Sequence, residues 1–142
     1  MKILIKGAFY KTRTFPDLND LLHEAQRHPM AYAQMKKQYQ FIACNQIRLS
    51  LKGWKAKGKI ELNYHFYEPI KGRKRDLDNI ASAVRKIVND ALVQVGTIKD
   101  DSPEYLGFGS NTFDYTDGTP YIEIEIVELE NAPFSEPKKN NG

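Results

Sequence analysis

Four aspartates are the residues of this chain best suited to chemistry. Asp76 and Asp78 close a basic run, Lys71-Gly72-Arg73-Lys74-Arg75-Asp76-Leu77-Asp78-Asn79, and Asp100-Asp101 follows the next helical stretch. Residues two apart in an extended segment point the same way, so Asp76 and Asp78 are expected to aim at one spot where that helix begins. Asp100 and Asp101 come after its far end and meet Asp76 only if the fold brings the chain back. Carboxylate oxygens are hard ligands that suit Mg²⁺, which keeps several of its waters. One such water can be activated to attack a phosphodiester while the metal screens the phosphate. Asp76, Asp78, Asp100 and Asp101 are therefore candidate metal ligands for metal-dependent phosphodiester cleavage. Each also has a plainer reading: Asp78 as the N-cap of the helix, Asp100-Asp101 as a polar turn, Asp90 as surface or packing. The unusual feature is their ordered combination with the basic run.

Charge is distributed to match. The net charge of +3 hides an asymmetry: residues 52–75 carry eight Lys/Arg against two Asp/Glu, whereas residues 100–130 carry nine acidic residues and no basic one. A basic middle is the footprint of a phosphate-backbone binder. It makes Lys55, Lys57, Lys71, Arg73, Lys74 and Arg75 candidate DNA contacts, although lysines also serve as solvated loops and guards of sheet edges. With 41% hydrophobic and 27% charged residues the chain can bury a core. It has no run near the roughly 18 apolar residues of a membrane helix, and the N-terminus is too short and too charged for a secretory signal. A single cysteine, Cys44, excludes an internal disulfide, fits a reducing compartment, and excludes four-cysteine or two-cysteine, two-histidine zinc sites.

The elements that must position these residues are readable as patterns. Alternation over residues 3–10 predicts a first strand, and Asp17 or Asn19 can cap a short helix over 18–27. Pro29 suits a first helical position, and apolar spacing predicts a long helix from about 30 to 50. Trp54, in a basic loop, reads as a core anchor before a nucleic-acid contact. Ile60, Leu62, Tyr64 and Phe66 alternate with polar residues, as in a half-buried strand. Asp78 is the expected N-cap of a helix with an apolar stripe through Ile80, Val84, Ile87, Val88, Ala91, Leu92 and Val95, ending at Gly96. Strands are expected over about 104–115 and 120–129, with Asp117-Gly118 as a hairpin signal between them. The order β-α-α-β-α-β-β predicts one α/β or α+β domain with a mixed sheet packed by helices over residues 1–130, and a frayed tail over 131–142.

The combination Arg75-Asp76-Leu77-Asp78-Asn79, Asn89-Asp90-Ala91-Leu92, Gly96 and Asp100-Asp101 resembles the RusA family of phage and prophage Holliday-junction resolvases. The resemblance is specific over residues 73–101, about a fifth of the chain. It implies a small homodimer in the bacterial cytoplasm that cuts four-way DNA junctions symmetrically with Mg²⁺ or Mn²⁺, with Asp76, Asp78 and Asp101 as ligands and Asn79 beside the site. A non-catalytic DNA-binding protein on the same scaffold is the alternative. The family pattern has a lysine where this chain has Ser82, and the helix is four residues longer before Asp90. Four residues are nearly one turn, so Lys86 falls on the face of Ser82, either as the replacement cation or as a solvated side chain. Two surfaces are candidates for a dimer interface: the long helix with Tyr32, Met35, Tyr39, Phe41 and Ile42, and the strand with Ile122, Ile124 and Ile126.

Overall fold

The structure is a computed structural model and describes residues 1–6, 15–71 and 74–129. The chain begins with strand β1 (Lys2–Ile5), which buries Ile3 and Ile5. The remainder of the expected first strand, and the expected tail, lie outside the described residues. Helix α1 (Leu18–Arg27) starts at a capping box: the Asp20 N–H donates to Asp17 Oδ1 at 2.8 Å and the Asp17 N–H to Asp20 Oδ2 at 3.0 Å. Helix α2 (Pro29–Leu51) follows at once. His28 Nδ1 accepts from the Met30 N–H at 3.1 Å and Pro29 takes the first turn, where its missing N–H costs nothing.

After the loop 52–59 comes β2 (Ile60–Pro69), then α3 (Leu77–Val95), β3 (Leu106–Gly107), β4 (Asn111–Thr116) and β5 (Tyr121–Glu128). The result is a small α+β fold, three helices with a mixed, curled five-stranded sheet among the described residues. β2 is its centre. β5 pairs antiparallel with one edge of β2 and carries β1 on its far side, while β3 and β4 pair parallel with the other edge. Ile60, Leu62, Tyr64, Phe66, Ile122, Ile124 and Ile126 face the helices, meeting Tyr39 and Ile47 of α2 and Val84, Ile87, Val88 and Leu92 of α3. The alternate residues, including Asn63, His65, Tyr67 and Glu125, stay partly or fully exposed, so the helices form one layer on one face. Trp54 packs half-buried against this core. No described helix is long and apolar enough to cross a membrane.

Three expectations need correction. First, the cap of α3 is Asp76, and Asp78 sits in the helix's first turn. Both are good capping residues, and position alone separates them. Second, Asp117-Gly118 does not close a hairpin, because β4 and β5 lie on opposite edges of β2 and the turn crosses its end. There the Ile70 N–H donates to the Thr116 carbonyl at 2.9 Å. A turn signal specifies a reversal, not a pairing partner. Third, the strand over 104–115 breaks at residues 108–110 into β3 and β4.

The break is built by two residues. Arg85 of α3 donates to the carbonyls of Gly109 and Ser110 at 3.1 and 3.0 Å and to Asn111 Oδ1 at 2.9 Å, and its guanidinium lies 4.3 Å from the Tyr64 ring centre. Gly109 runs so close to β2 that a Cβ there would overlap the Leu62 carbonyl oxygen. Gly109→Ala is therefore expected to cost about 1–3 kcal/mol as an overpacking change. Urea unfolding would read this, and a loss below about 0.5 kcal/mol would mean the bend relaxes freely.

Candidate active site

The site begins with a brace. Arg75, immediately before the α3 cap, has a side chain only 9% exposed. Its Nε and Nη2 donate to the two carboxylate oxygens of Glu68 at 2.8 and 2.9 Å, and Nη1 donates to the Phe15 carbonyl at 2.7 Å. The same Nη1 lies 3.6 Å from Asp20 Oδ2 and 3.9 Å from Asp17 Oδ2. One guanidinium thus ties the end of β2 to the start of α1 and fixes the chain that enters α3. The sequence pattern placed Arg75 on DNA; the structure commits it to the protein interior instead. Its acceptors lie as far as 60 residues away, beyond what local spacing reveals.

The brace leads directly to Asp76. Its Oδ1 accepts the N–H groups of Asp78 at 3.0 Å and Asn79 at 3.3 Å, so the carboxylate is held at the positive end of the helix. Asp76 and Asp78 are both exposed. They are neighbours through this cap rather than through shared strand geometry, since Asp78 is already helical.

Along α3, Asp78, Ser82, Lys86 and Asp90 recur every four residues and line one face. Lys86 Nζ donates to Asp90 Oδ1 at 3.0 Å and lies 3.9 Å from Asp101 Oδ2, while Lys36 Nζ approaches Asp90 Oδ2 at 3.9 Å. The hydrogen bond to Asp90, and then its charge, raise the Lys86 ammonium above the ordinary lysine value. Lys86 is thus an exposed cation engaged with Asp90, with Asp101 close by. Asp100 Oδ1 accepts the Asp101 N–H at 2.9 Å, shaping the turn that brings Asp101 to Lys86.

The structure therefore joins Asp76 with Asp78, and Asp101 with Lys86. Ten residues of helix, about 15 Å of rise, separate Asp76 from Lys86. Among the described residues no three His, Cys, Asp or Glu side chains form a group able to hold a metal ion. The three-carboxylate centre expected from the sequence is thus not assembled in this arrangement. Mg²⁺ is nonetheless commonly held by one or two carboxylates, with water and substrate phosphate completing the shell. The Asp76–Asp78 pair fits that smaller requirement in donor type and exposure.

The remaining expected contacts are dispersed. Lys71 is exposed, and Arg73 lies outside the described residues. Lys74 sits 4.2 Å from the centre of the Tyr115 ring and donates to the Ile70 carbonyl, beside a cleft lined by Leu77, Phe113 and Tyr115. Asn79 is half-buried in the first turn of α3. Lys55 and Lys57 line a groove with Lys99 near the C-terminal end of α3, at the end of the helix opposite to Asp76 and Asp78. No sequence pattern marks the acceptors of Arg75, the Arg85 clamp, or the placement of Lys99 beside Lys55 and Lys57. The one local signal is the position of Lys99 next to the Asp100-Asp101 pair. Compared with known proteins, the chain matches no family model and no curated protein.

Proposed function

We propose that this chain is a RusA-like, metal-dependent endonuclease that resolves four-way DNA junctions by paired symmetric cuts, working as a homodimer in the bacterial cytoplasm. The observation that carries this reading is the exposed Asp76–Asp78 pair at the start of α3, backed by the buried Arg75 brace. Asp76 and Asp78 would hold Mg²⁺ or Mn²⁺, which supplies an acidified water and screens charge at the scissile phosphate. Arg75, through Glu68, orients the segment that carries Asp76. Lys86 offers a fixed positive charge along the same helix, with Asp101 beside it as the further candidate ligand of the family pattern. Lys71 and Lys74 draw the DNA backbone toward the helix N-terminus.

One observation favours the second reading, a DNA-binding protein without catalysis: Asp76 already serves as a cap, and a cap needs no metal. The dimer, in this reading, uses the outer side of α2. Ile122, Ile124 and Ile126 are buried in the protomer's own core, as are Met35 and Tyr39, whereas Phe41 and Leu49 are exposed. A supercoiled plasmid extruding a cruciform tests both parts at once. Paired cutting by a dimer is expected to convert it to linear DNA within one encounter. Accumulation of nicked circles would contradict paired action, and an untouched plasmid would favour the binding protein.

A further inference from the structure

At the C-terminal end of α3, away from the Asp76–Asp78 pair and next to the Asp100–Asp101 turn, two loops enclose a second basic feature. The loop after α2 is pinned to the turn after α3 by the Ala56 N–H, which donates to the Thr97 carbonyl at 3.0 Å. Between them lies a groove of about 370 Å³ lined by Lys55, Lys57, Gly58, Gly96, Lys99 and Tyr105, among others. Its foundation is firm. Thr97 and Ile98 are buried, and Gly96, at φ +90°, closes the helix in the left-handed conformation that favours glycine. Lys55, Lys57 and Lys99 are all exposed, and among the described residues none of the three forms an ion pair. Residues 52–59 add Lys52 and Lys59 and contain no acidic residue. These five lysines outnumber Asp100, Asp101 and Glu104, the acidic residues that follow Lys99, and the surplus positive charge around the groove attracts an anion.

We infer that this groove binds the phosphodiester backbone of a DNA arm, at a point remote from the Asp76–Asp78 pair. The inference rests on the proposed function for its choice of polyanion. Two features favour a backbone over a free phosphate. The groove, at about 370 Å³, is far larger than one phosphate ion, and its Lys55 and Lys57 belong to a loop that also carries Lys52 and Lys59. The fold also sets the distance. The 19 residues of α3 rise about 28 Å, which is about eight nucleotide steps at roughly 3.4 Å each. An arm lying along α3 with one phosphate at Asp76 would reach the groove about eight steps away.

The test measures affinity for four-way junctions against salt concentration, without divalent metal, using arms of about 6 and about 20 base pairs. The wild type is compared with Lys55→Ala/Lys57→Ala/Lys99→Ala and with the corresponding triple Lys→Arg variant. On long arms the alanine variant should bind at least about tenfold more weakly, and its slope of log K against log salt should flatten by up to about 3 units. The arginine variant should retain the wild-type slope. On short arms the wild type and the alanine variant should bind alike, because the groove is out of reach. An unchanged slope on long arms overturns the inference, as does an equal loss on short and long arms. Inorganic phosphate that displaces long-arm DNA at low millimolar concentration would assign the groove to a free anion and overturn it too. Metal-free binding is independent of cutting, so a chain that shows the groove effect but never cleaves refutes the nuclease alone.

Discussion

Asp76→Asn should reduce metal-dependent junction cleavage by at least about a hundredfold while leaving junction binding intact. Loss of a residue that merely orients a metal ligand costs about 10–100-fold, so loss of a ligand itself should cost no less. An amide is a poor partner for a hard cation, and removing a negative charge near phosphates does not weaken DNA attraction. The substitution also isolates the chemistry from the fold. Asp76 caps α3 by accepting from the N–H groups of Asp78 and Asn79, and asparagine caps as well as aspartate does. Unfolding in urea should therefore be nearly unchanged for Asp76→Asn, whereas Asp76→Ala should lose about 1 kcal/mol of stability. Asp101→Asn should abolish cleavage in the same way if the Asp100–Asp101 turn supplies a ligand. An Asp76→Asn variant that cuts at the wild-type rate would reduce Asp76 to its capping role.

The largest effect on stability is expected at Arg75. Arg75→Ala should cost about 3–5 kcal/mol, the usual penalty for stranding the partners of a buried ion pair. Glu68, with a side chain only 13% exposed, would lose two donors, Asp17, 2% exposed, would lose the cation beside it, and the Phe15 carbonyl would lose its donor. Set against a typical total of about 5–15 kcal/mol, that is a large fraction of the whole. Arg75→Lys should rescue only part of the loss, because an ammonium cannot reproduce the two parallel bonds to Glu68 while also reaching Phe15. Urea unfolding with an unchanged m-value would read the difference. A loss under about 1 kcal/mol would show that the network is solvated and that Arg75 braces nothing.

The contrast between Arg75 and Asp76 shows what could be read from the residues alone. All three helices were readable to within a residue or two, because their ends carry local chemistry: Asp17 before α1, Pro29 at the start of α2, Gly96 after α3. The alternation of Ile60 to Phe66 and of Ile122 to Ile126 marked β2 and β5 for the same reason. The partners of those strands were not readable. Pairing is long-range, and nothing near Asp117-Gly118 indicates that β2 lies between β4 and β5. Arg75 looked like its basic neighbours until the fold gathered Glu68, Asp17 and Phe15 around it. Asp76 and Asp101 were recognisable as candidates by type and order, yet their separation along α3 depended on where the Asp100–Asp101 turn docked, which was at Lys86.

The central claim is that the Asp76–Asp78 end of α3 supports metal-dependent cleavage of branched DNA. The most direct measurement incubates the wild-type protein with a synthetic four-way junction and with a linear duplex of the same sequence, each with and without Mg²⁺. Cuts are expected in two opposing strands of the junction, only with Mg²⁺, with little or no cutting of the linear duplex. Junction binding without cleavage at any Mg²⁺ or Mn²⁺ concentration would contradict the claim.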